Sequence, residues 1–471
     1  MSLPSDSADL LLYATACSIA LSTLYYIATR HPRSNVPNAP LAIPLLGHAL
    51  IFRKNPNDFF RKAQSVVGPV FRINLAGRRM IMVTSPAVME KVTAAPETIL
   101  SSETAVREIG FDYTLGLFNV TEGTSFHRKV LKSDAHAAFL KRVMSQLQHS
   151  FDTELSKTRA NKGRVEISDL FVFSRRSFVR ACLVAFIGKN LESDALISDI
   201  MIFMDRVEDA TAKAAVLPRY LAIPLVLRPV QAQRLQLQKR IAALLEPMLQ
   251  SASAEGPWLN QFRHLPQQDG AAVAAELVIG LVFAAHKNPS IAAAQSLIYV
   301  LQYSENNLDL QKEAKLVARG ELPDRTPHLY ANVRETLRLT SLSIGSIRTV
   351  MCDRFDATSE DGTIYTFLKG ESVCVAHNVM DTDPSRWSDA SSFVPNRFLE
   401  KHPQYLVFSR GIHKCPGERI AMTMVQILLA LFLDRNARLE GPVPGLDFER
   451  TTVAQRAGPV RISLDYRGSS F

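Results

Sequence analysis

Five cysteines are the first candidates for chemistry in this chain: Cys17, Cys182, Cys352, Cys374 and Cys415. They are scattered and form no C-x-x-C pair, which argues against a disulfide framework or a cysteine-rich zinc module. Cys182, Cys352 and Cys374 sit in apolar runs and read as core, and Cys17 reads as an apolar membrane residue. Cys415 lies in Phe408-Ser-Arg-Gly-Ile-His-Lys-Cys-Pro-Gly417, and each neighbour there has a physical use. Gly411 permits a backbone turn that a side chain would block. Cys415 is expected at the start of a helix, where free N–H groups and the dipole favour a thiolate. Pro416 suits the first helical turn and removes one N–H donor to the sulfur. Gly417 would let the backbone approach the sulfur closely. Such a thiolate is suited to being a lone metal ligand.

Other residue pairs fall at informative spacings. Glu335 and Arg338 stand three apart on a predicted helix and are followed by Phe393, Pro395, Arg397 and Phe398. Arg348 lies ten residues past Arg338, in a strand-like segment. Phe126-His-Arg-Lys-Val-Leu-Lys132 is a basic stretch. Upstream, Leu281-Val-Phe-Ala-Ala-His-Lys-Asn-Pro-Ser290 belongs to a long apolar helix. At about 100° per residue, Leu281, Ala284, Ala285 and Asn288 share one face. His286 points to the opposite side. Pro289 cannot bond to the carbonyl of Ala285, so a kink is expected there, with that carbonyl freed for water or substrate.

The Phe408–Gly417 stretch reads as F-x-x-G-x-R/H-x-C-x-G and resembles the haem-thiolate loop of the cytochrome P-450 family. The resemblance runs from the N-terminal apolar segment to the C-terminus. It implies that Cys415 ligates the iron of haem b. It also implies that Phe408, Gly411 and Gly417 shape the loop. His413, standing where most members have Arg, and Arg348 would contact the haem propionates. Glu335, Arg338 and Arg397 resemble the family's structural Glu–Arg–Arg network. Where the family usually shows W-x-x-x-R, Phe126 replaces Trp and Val130 stands in the Arg position, so His127, Arg128 and Lys132 are the alternatives. Ala284 and Ala285 match the small residues above the iron. Lys287 takes the place of the family's acid and Asn288 that of its threonine. Asn at that position resembles the branch that includes sterol 7α-hydroxylases and prostacyclin synthase.

Those residues need elements to hold them. Val70–Leu75 and Arg79–Val83 flank a turn at 76–78 and predict a β-hairpin. Apolar residues recur at three and four from about 85 to 345, so that region should be helical. Residues 271–303 predict one helix roughly 50 Å long. After Leu339 short strands follow, with Asp361-Gly362 and Lys369-Gly370 as turns. A last helix is expected from about Pro416 to Leu433. The fold class is a mostly α single haem-thiolate domain with small β segments, preceded by a transmembrane helix.

Leu10 to Ala28 carries no charge and would span about 28 Å as a helix, close to a bilayer core of about 30 Å. Asp6 and Asp9 precede it; Arg30, His31 and Arg33 follow, which places the bulk of the chain in the cytosol. A cleaved signal peptide is the competing reading; no positive segment precedes the run. The expected organisation is a luminal segment 1–9, an anchor 10–28, a proline-rich hinge 29–46 and a haem domain 47–471. The chain has 471 residues, 47% hydrophobic and 21% charged, which excludes a disordered protein. Its net charge of +9 is spread along the chain without a long basic block. That disfavours nucleic acid and suits a membrane surface or an acidic partner.

The leading expectation is a monooxygenase of the endoplasmic reticulum membrane, single-pass and facing the cytosol. It would oxidise a bulky apolar terpenoid, steroid or prenylated alkaloid with O2. No flavin- or dinucleotide-binding segment is present in the sequence, so electrons would come from an external NADPH–cytochrome P-450 reductase. The stretch from Leu217 to Leu227 reads equally as core or as a membrane-dipping channel roof. Alternatives are a reductase-independent isomerase or dehydratase, and a haem-binding sensor or carrier without turnover.

Overall fold

The computed structural model describes residues 34–466 except 45, 132–135, 159, 162, 218, 252–255, 264, 266–269, 305, 342–344, 401–404 and 448–452. The expected anchor 10–28, with Cys17, lies outside the described residues, as does Lys132.

The hairpin forms as its pattern predicts. Val70–Leu75 pairs antiparallel with Arg78–Val83, turning through Ala76 and Gly77 at φ 50° and 97°. The second strand then runs parallel to Ser372–Val375, which pairs antiparallel with Ile347–Val350. Leu100–Ser101 closes this five-stranded sheet. Arg354–Thr358 and Ile364–Leu368 make a separate hairpin. The described part of the proline-rich segment does not stand free. Arg72 exchanges backbone hydrogen bonds with Pro37 and Ala39 at 2.7 and 2.8 Å, and Val36 and Ala39 are buried. Two apolar side chains there gain more by covering the sheet than by staying in water.

The helical body is built on four helices: His136–Ser156, Leu170–Phe186, Gly270–Tyr303 and Glu418–Asp434. They pack on one another around the largest hydrophobic core. Leu170–Phe186 begins at Asp169, whose carboxylate accepts from the Phe171 and Val172 amides. Gly270–Tyr303 is apolar on nearly all sides and is buried over much of its length, as such a helix must be. Among the described residues it is the only helix long and apolar enough to cross a membrane, and it lies in the core.

Two helices, Asp194–Val216 and Arg228–Gln250, pack on each other, and the second also packs on the long helix. Between them Leu217, Tyr220, Leu221 and Leu225 are exposed, so most of this stretch is surface rather than core. Ala222 and Leu227 are tucked under it, with Ile223 partly so.

The long helix continues through Pro289 as one element. The carbonyl of Ala285, which Pro289 cannot serve, is not left open. It faces the Cys182 thiol of the neighbouring helix at 3.8 Å. The expectation that it would serve the pocket is therefore corrected. A buried carbonyl takes the nearest donor, and here that donor is another core residue. Cys182 and Cys374 are buried as expected, but Cys352 is only half-buried beside the Arg354 carbonyl.

Candidate functional site

The cysteine loop is held from several sides. The Cys415 amide donates to the Phe408 carbonyl at 2.9 Å, closing the turn. Gly411 has φ 66°, and a Cβ there would lie 2.1 Å from the Thr93 carbonyl oxygen. Both facts require glycine. The final helix begins at Glu418 with Gly417 as its cap, two residues later than the sequence suggested. Pro416 therefore sits in the turn before the helix, not in its first turn. Gly417 has φ −91°, and a Cβ there would meet nothing within 4 Å. No described protein atom crowds that position, and the Gly417 amide itself reaches the Cys415 sulfur, the close approach the sequence suggested.

Cys415 keeps a solvent-accessible face. Crowding by the surrounding protein pushes its pKa up, and the Gly417 and Glu418 amides pull it only partly back. The amide contribution that the sequence suggested is present, and burial outweighs it. A cation bound there would supply the missing stabilisation of the thiolate.

Behind the loop lies a buried ion network. Arg338 meets Glu335 in a two-pronged pair, Nε to Oε2 and Nη2 to Oε1, both at 2.8 Å. Neither side chain has measurable exposure. Arg397 Nε donates to the same Glu335 Oε1 at 3.1 Å. The remaining Arg338 donors reach the carbonyls of Ala390, Asp381 and Ser392 at 2.7, 3.1 and 3.1 Å. The buried Asp381 carboxylate in turn accepts from the Leu406 amide at 3.1 Å, just before the cysteine loop. Burial raises the Asp381 pKa to about 7, with the Leu406 amide and nearby arginines opposing. The predicted trio thus reaches the loop through Asp381, a link with no motif in the sequence. Arg334 adds a second link, its guanidinium 4.2 Å from the Tyr405 ring and 4.8 Å from that of Phe398. Removing one partner of a buried pair leaves an uncompensated charge. Glu335→Gln is expected to lower stability by about 3–5 kcal/mol and to reduce the haem bound per chain. Thermal unfolding together with haem content per chain checks this; unchanged values would refute the structural role.

Arg348, Arg128 and His413 come together beside the loop. Arg348 is buried; Nη1 bonds the Ile347 carbonyl, while Nη2 has no partner among the described residues. Arg128 Nη2 donates to the Ile412 carbonyl at 2.7 Å. His413 Nε2 lies 2.9 Å from Glu97 Oε1 without hydrogen-bond geometry, and its Nδ1 lies 3.5 Å from Ser102 Oγ. Burial and the adjacent Arg348 push the His413 pKa down, Glu97 only partly opposing. The ring is therefore neutral at pH 7. Burial alone would raise the Glu97 carboxyl, yet hydrogen bonds from Ser102 and Ser101 hold it below its usual range. His127 turns away, accepting from Trp258 Nε1 at 2.9 Å, and burial lowers its pKa to about 4.

On the long helix, Ala284 and Asn288 are exposed and Ala285 is partly so, while Leu281, Val282, His286 and Lys287 are buried. The accessible face is thus the one the 3.6-residue period assigns to Ala284 and Asn288, without Leu281. His286 points into the core, its Nδ1 2.5 Å from the Val282 carbonyl, and burial drives its pKa down to about 3. Lys287 is buried in ion pairs with Glu208 and with Asp205, the latter at 3.5 Å. The same Asp205 accepts from Arg175 at 2.9 Å.

A buried guanidinium with a spare donor, a second guanidinium at the loop edge and an accessible thiol suit an iron macrocycle with acidic side arms. The sequence profile of the cytochrome P-450 family matches residues 37–257 and 265–440. The chain belongs to the cytochrome P-450 family. It is 23% identical to sterol 14-demethylase of Arabidopsis thaliana over 94% of both chains. Lanosterol 14-alpha demethylase of Bos taurus is 24% identical, over 90% of this chain and 88% of that one. Abscisic acid 8'-hydroxylase 2 of Arabidopsis thaliana is 23% identical, over 93% and 92%. This cytochrome P-450 is accordingly an oxidoreductase of the monooxygenase kind with a haem-thiolate centre.

Proposed function

We propose that this cytochrome P-450 inserts one atom of O2 into a bulky apolar natural product, such as a terpenoid, steroid or prenylated alkaloid. The observation that carries this is the open Ala284–Asn288 face in the middle of a helix that is buried over much of its length. The aromatic pair Phe111 and Phe283, with ring centres 5.9 Å apart, bounds it with apolar surface. Relatives named for sterol demethylation and abscisic acid hydroxylation support oxidation of an apolar carbon frame.

In this reading Cys415 ligates the iron, and Arg348 and Arg128 hold the acidic side arms of haem b. When bound, the haem supplies a thiolate-ligated iron for activating O2. Ala284 and Ala285 leave room for substrate. The Asn288 amide holds a water from which protons are delivered, a role general acid catalysis requires. Glu335, Arg338 and Arg397 keep the loop from shifting. Electrons come from a membrane-bound NADPH reductase whose acidic face complements the +9 charge. Product analysis with reductase, NADPH and a terpenoid panel tests the reading. NADPH consumption without any oxygenated product would overturn it.

A second reading keeps the site and drops the reductase. Lys287 is occupied by Glu208 and Asp205, so it supplies no free acid beside Asn288. Isomerisation or dehydration of an already oxygenated substrate needs none from outside. Conversion without NADPH distinguishes this reading.

We also place the protein in the endoplasmic reticulum membrane by the apolar run 10–28, with the catalytic domain facing the cytosol. The exposed Leu41, Leu46 and Leu50, together with Leu217, Tyr220, Leu221 and Leu225, support lipid contact by the folded part. Deleting residues 1–29 is expected to move the protein towards salt-extractable material, with weak lipid binding left. A truncated form as detergent-dependent as the full chain would refute the single-pass anchor.

A further inference from the structure

Glu276 on the long helix has no part in the site described so far, yet it joins three elements. Its side chain is 13% exposed. Oε1 accepts from the Phe118 amide at 2.7 Å and from the Asn119 amide at 3.4 Å. Oε2 accepts from Arg234 Nη1 at 3.1 Å. Arg234 is buried on helix Arg228–Gln250, and its Nε donates to the Tyr113 carbonyl at 3.2 Å. One carboxylate therefore ties together the long helix, the covering helix Arg228–Gln250 and residues 111–123. Those residues comprise the short helix Phe111–Thr114 and a single wide turn, Asn119–Gly123. Leu117, Thr121 and Glu122 are exposed, so apolar burial holds this segment only in part. Charge-assisted hydrogen bonds supply the rest, and they are the strong kind.

This joint borders the open face of the helix. Glu276, Gly280, Ala284 and Asn288 recur every four residues and form one ridge. A Cβ on Gly280 would lie 2.2 Å from Asn119 Oδ1, so the Asn119 carboxamide rests on the helix there. Asn119 Nδ2 donates to the carbonyls of Leu115 and Glu276, which fixes the orientation of that amide. Gly116 has φ 104°, and a Cβ there would fall 2.2 Å from the Glu276 carboxyl carbon. Only glycine lets the turn close on the carboxylate. The Phe111 ring packs edge-on against Phe283, next to Ala284. Residues 111–123 thus cover the ridge up to Gly280, and the accessible face starts one turn beyond.

We propose that Glu276 is a positioning residue. It pins residues 111–123 and helix Arg228–Gln250 to the long helix, and so limits the size of molecule that passes quickly to and from the Ala284–Asn288 face. The three elements separate only when the charged hydrogen bonds at Glu276 break together. Such local opening sets the rate at which a bulky molecule passes, while a small one needs no opening. Weakening the joint then speeds entry and exit alike. The proposal rests on the reading of this face as the substrate side.

The test uses the full-length, haem-loaded protein and two iron-ligating probes, imidazole and the bulky clotrimazole, followed by stopped-flow Soret shift. In Glu276→Gln, clotrimazole should associate and dissociate on the order of 10- to 100-fold faster, the range of one charged hydrogen bond. Its Kd should stay within about threefold, because opening is common to entry and exit. Imidazole rates should change by less than about twofold, since a small probe needs no opening. Amide hydrogen exchange of residues 111–123 should accelerate in the same variant. Arg234→Gln should give the same pattern. The double variant should show less than the product of the two single effects, because both break one joint. Gly280→Ala should also speed clotrimazole with every charge intact, by displacing Asn119. That variant carries the test if Glu276→Gln takes up no haem. Equal acceleration of both probes, unchanged clotrimazole rates or unchanged amide exchange overturns the proposal. So does full multiplication of the effects in the double variant. Those results leave the substrate-side reading standing when clotrimazole binds the parent. A parent that binds imidazole but not clotrimazole would refute both.

Discussion

Cys415→Ala is expected to abolish the strongly red-shifted Soret band of the ferrous–CO form. The loop geometry isolates the sulfur as the cause. Its closing bond runs from the Cys415 backbone amide to the Phe408 carbonyl, and alanine retains that amide. The Gly411 turn against Thr93 and the Glu335–Arg338 pair do not involve the sulfur either. The variant should therefore fold and lose only the ligand. The other described cysteines cannot substitute. Cys182 and Cys374 are fully buried, and burial alone drives both pKa values far up. Cys352 lies beside the Arg354 carbonyl on the other hairpin. Haem content and the ferrous–CO spectrum, measured together, check the result. A retained red-shifted band would remove Cys415 as the ligand.

What could be read in the sequence divides along a physical line. The cysteine loop and the Glu335, Arg338 and Arg397 trio were legible because their partners are fixed by short spacings or by one motif following another. The long helix was legible because a helix apolar on all sides must be buried. His413 shows the limit. Its register with Cys415 suggested a ligand contact; its proximity to Glu97, more than three hundred residues earlier in the chain, could not be read there. No periodicity links those positions; only the packing of Ser102–Glu108 beside the loop does. Asp381 and Arg334 were missed for the same reason. Each acts through a tertiary contact, one with the Leu406 amide and one with the Tyr405 ring. The Ala285 carbonyl was misread because its donor, Cys182, comes from another helix. Local rules found the broken hydrogen bond at Pro289 but not the group that replaced it.

The position of Lys287 bears on how protons reach the pocket. A lysine in the place of an acid suggests a reversed donor. The structure shows instead a side chain drawn away into Glu208 and Asp205, with Arg175 completing the cluster. These charges tie the long helix to Asp194–Val216 and leave Asn288 as the polar group on the accessible face. In the proposed mechanism, proton delivery would then fall to the Asn288 amide and a water it would hold.

Asn288→Ala is accordingly expected to slow product formation by about 10²–10⁴-fold, the usual worth of a positioned proton donor. It should also raise the fraction of NADPH electrons released as hydrogen peroxide, because O2 can still enter and be reduced. Asn288→Thr should restore part of the coupling by supplying a hydroxyl. His286→Ala is the control. His286 is fully buried, neutral at pH 7 and bonded to the Val282 carbonyl on the far side of the helix. Its loss should lower stability more than coupling, so each variant is compared per folded, haem-loaded chain. The deciding quantity is the ratio of product to NADPH consumed. An unchanged ratio in Asn288→Ala would take Asn288 out of the mechanism. Conversion by the parent without NADPH would move the same residue to a different task, orienting an oxygenated substrate for isomerisation. The two roles separate cleanly, because only the first makes the Asn288→Ala defect appear as hydrogen peroxide.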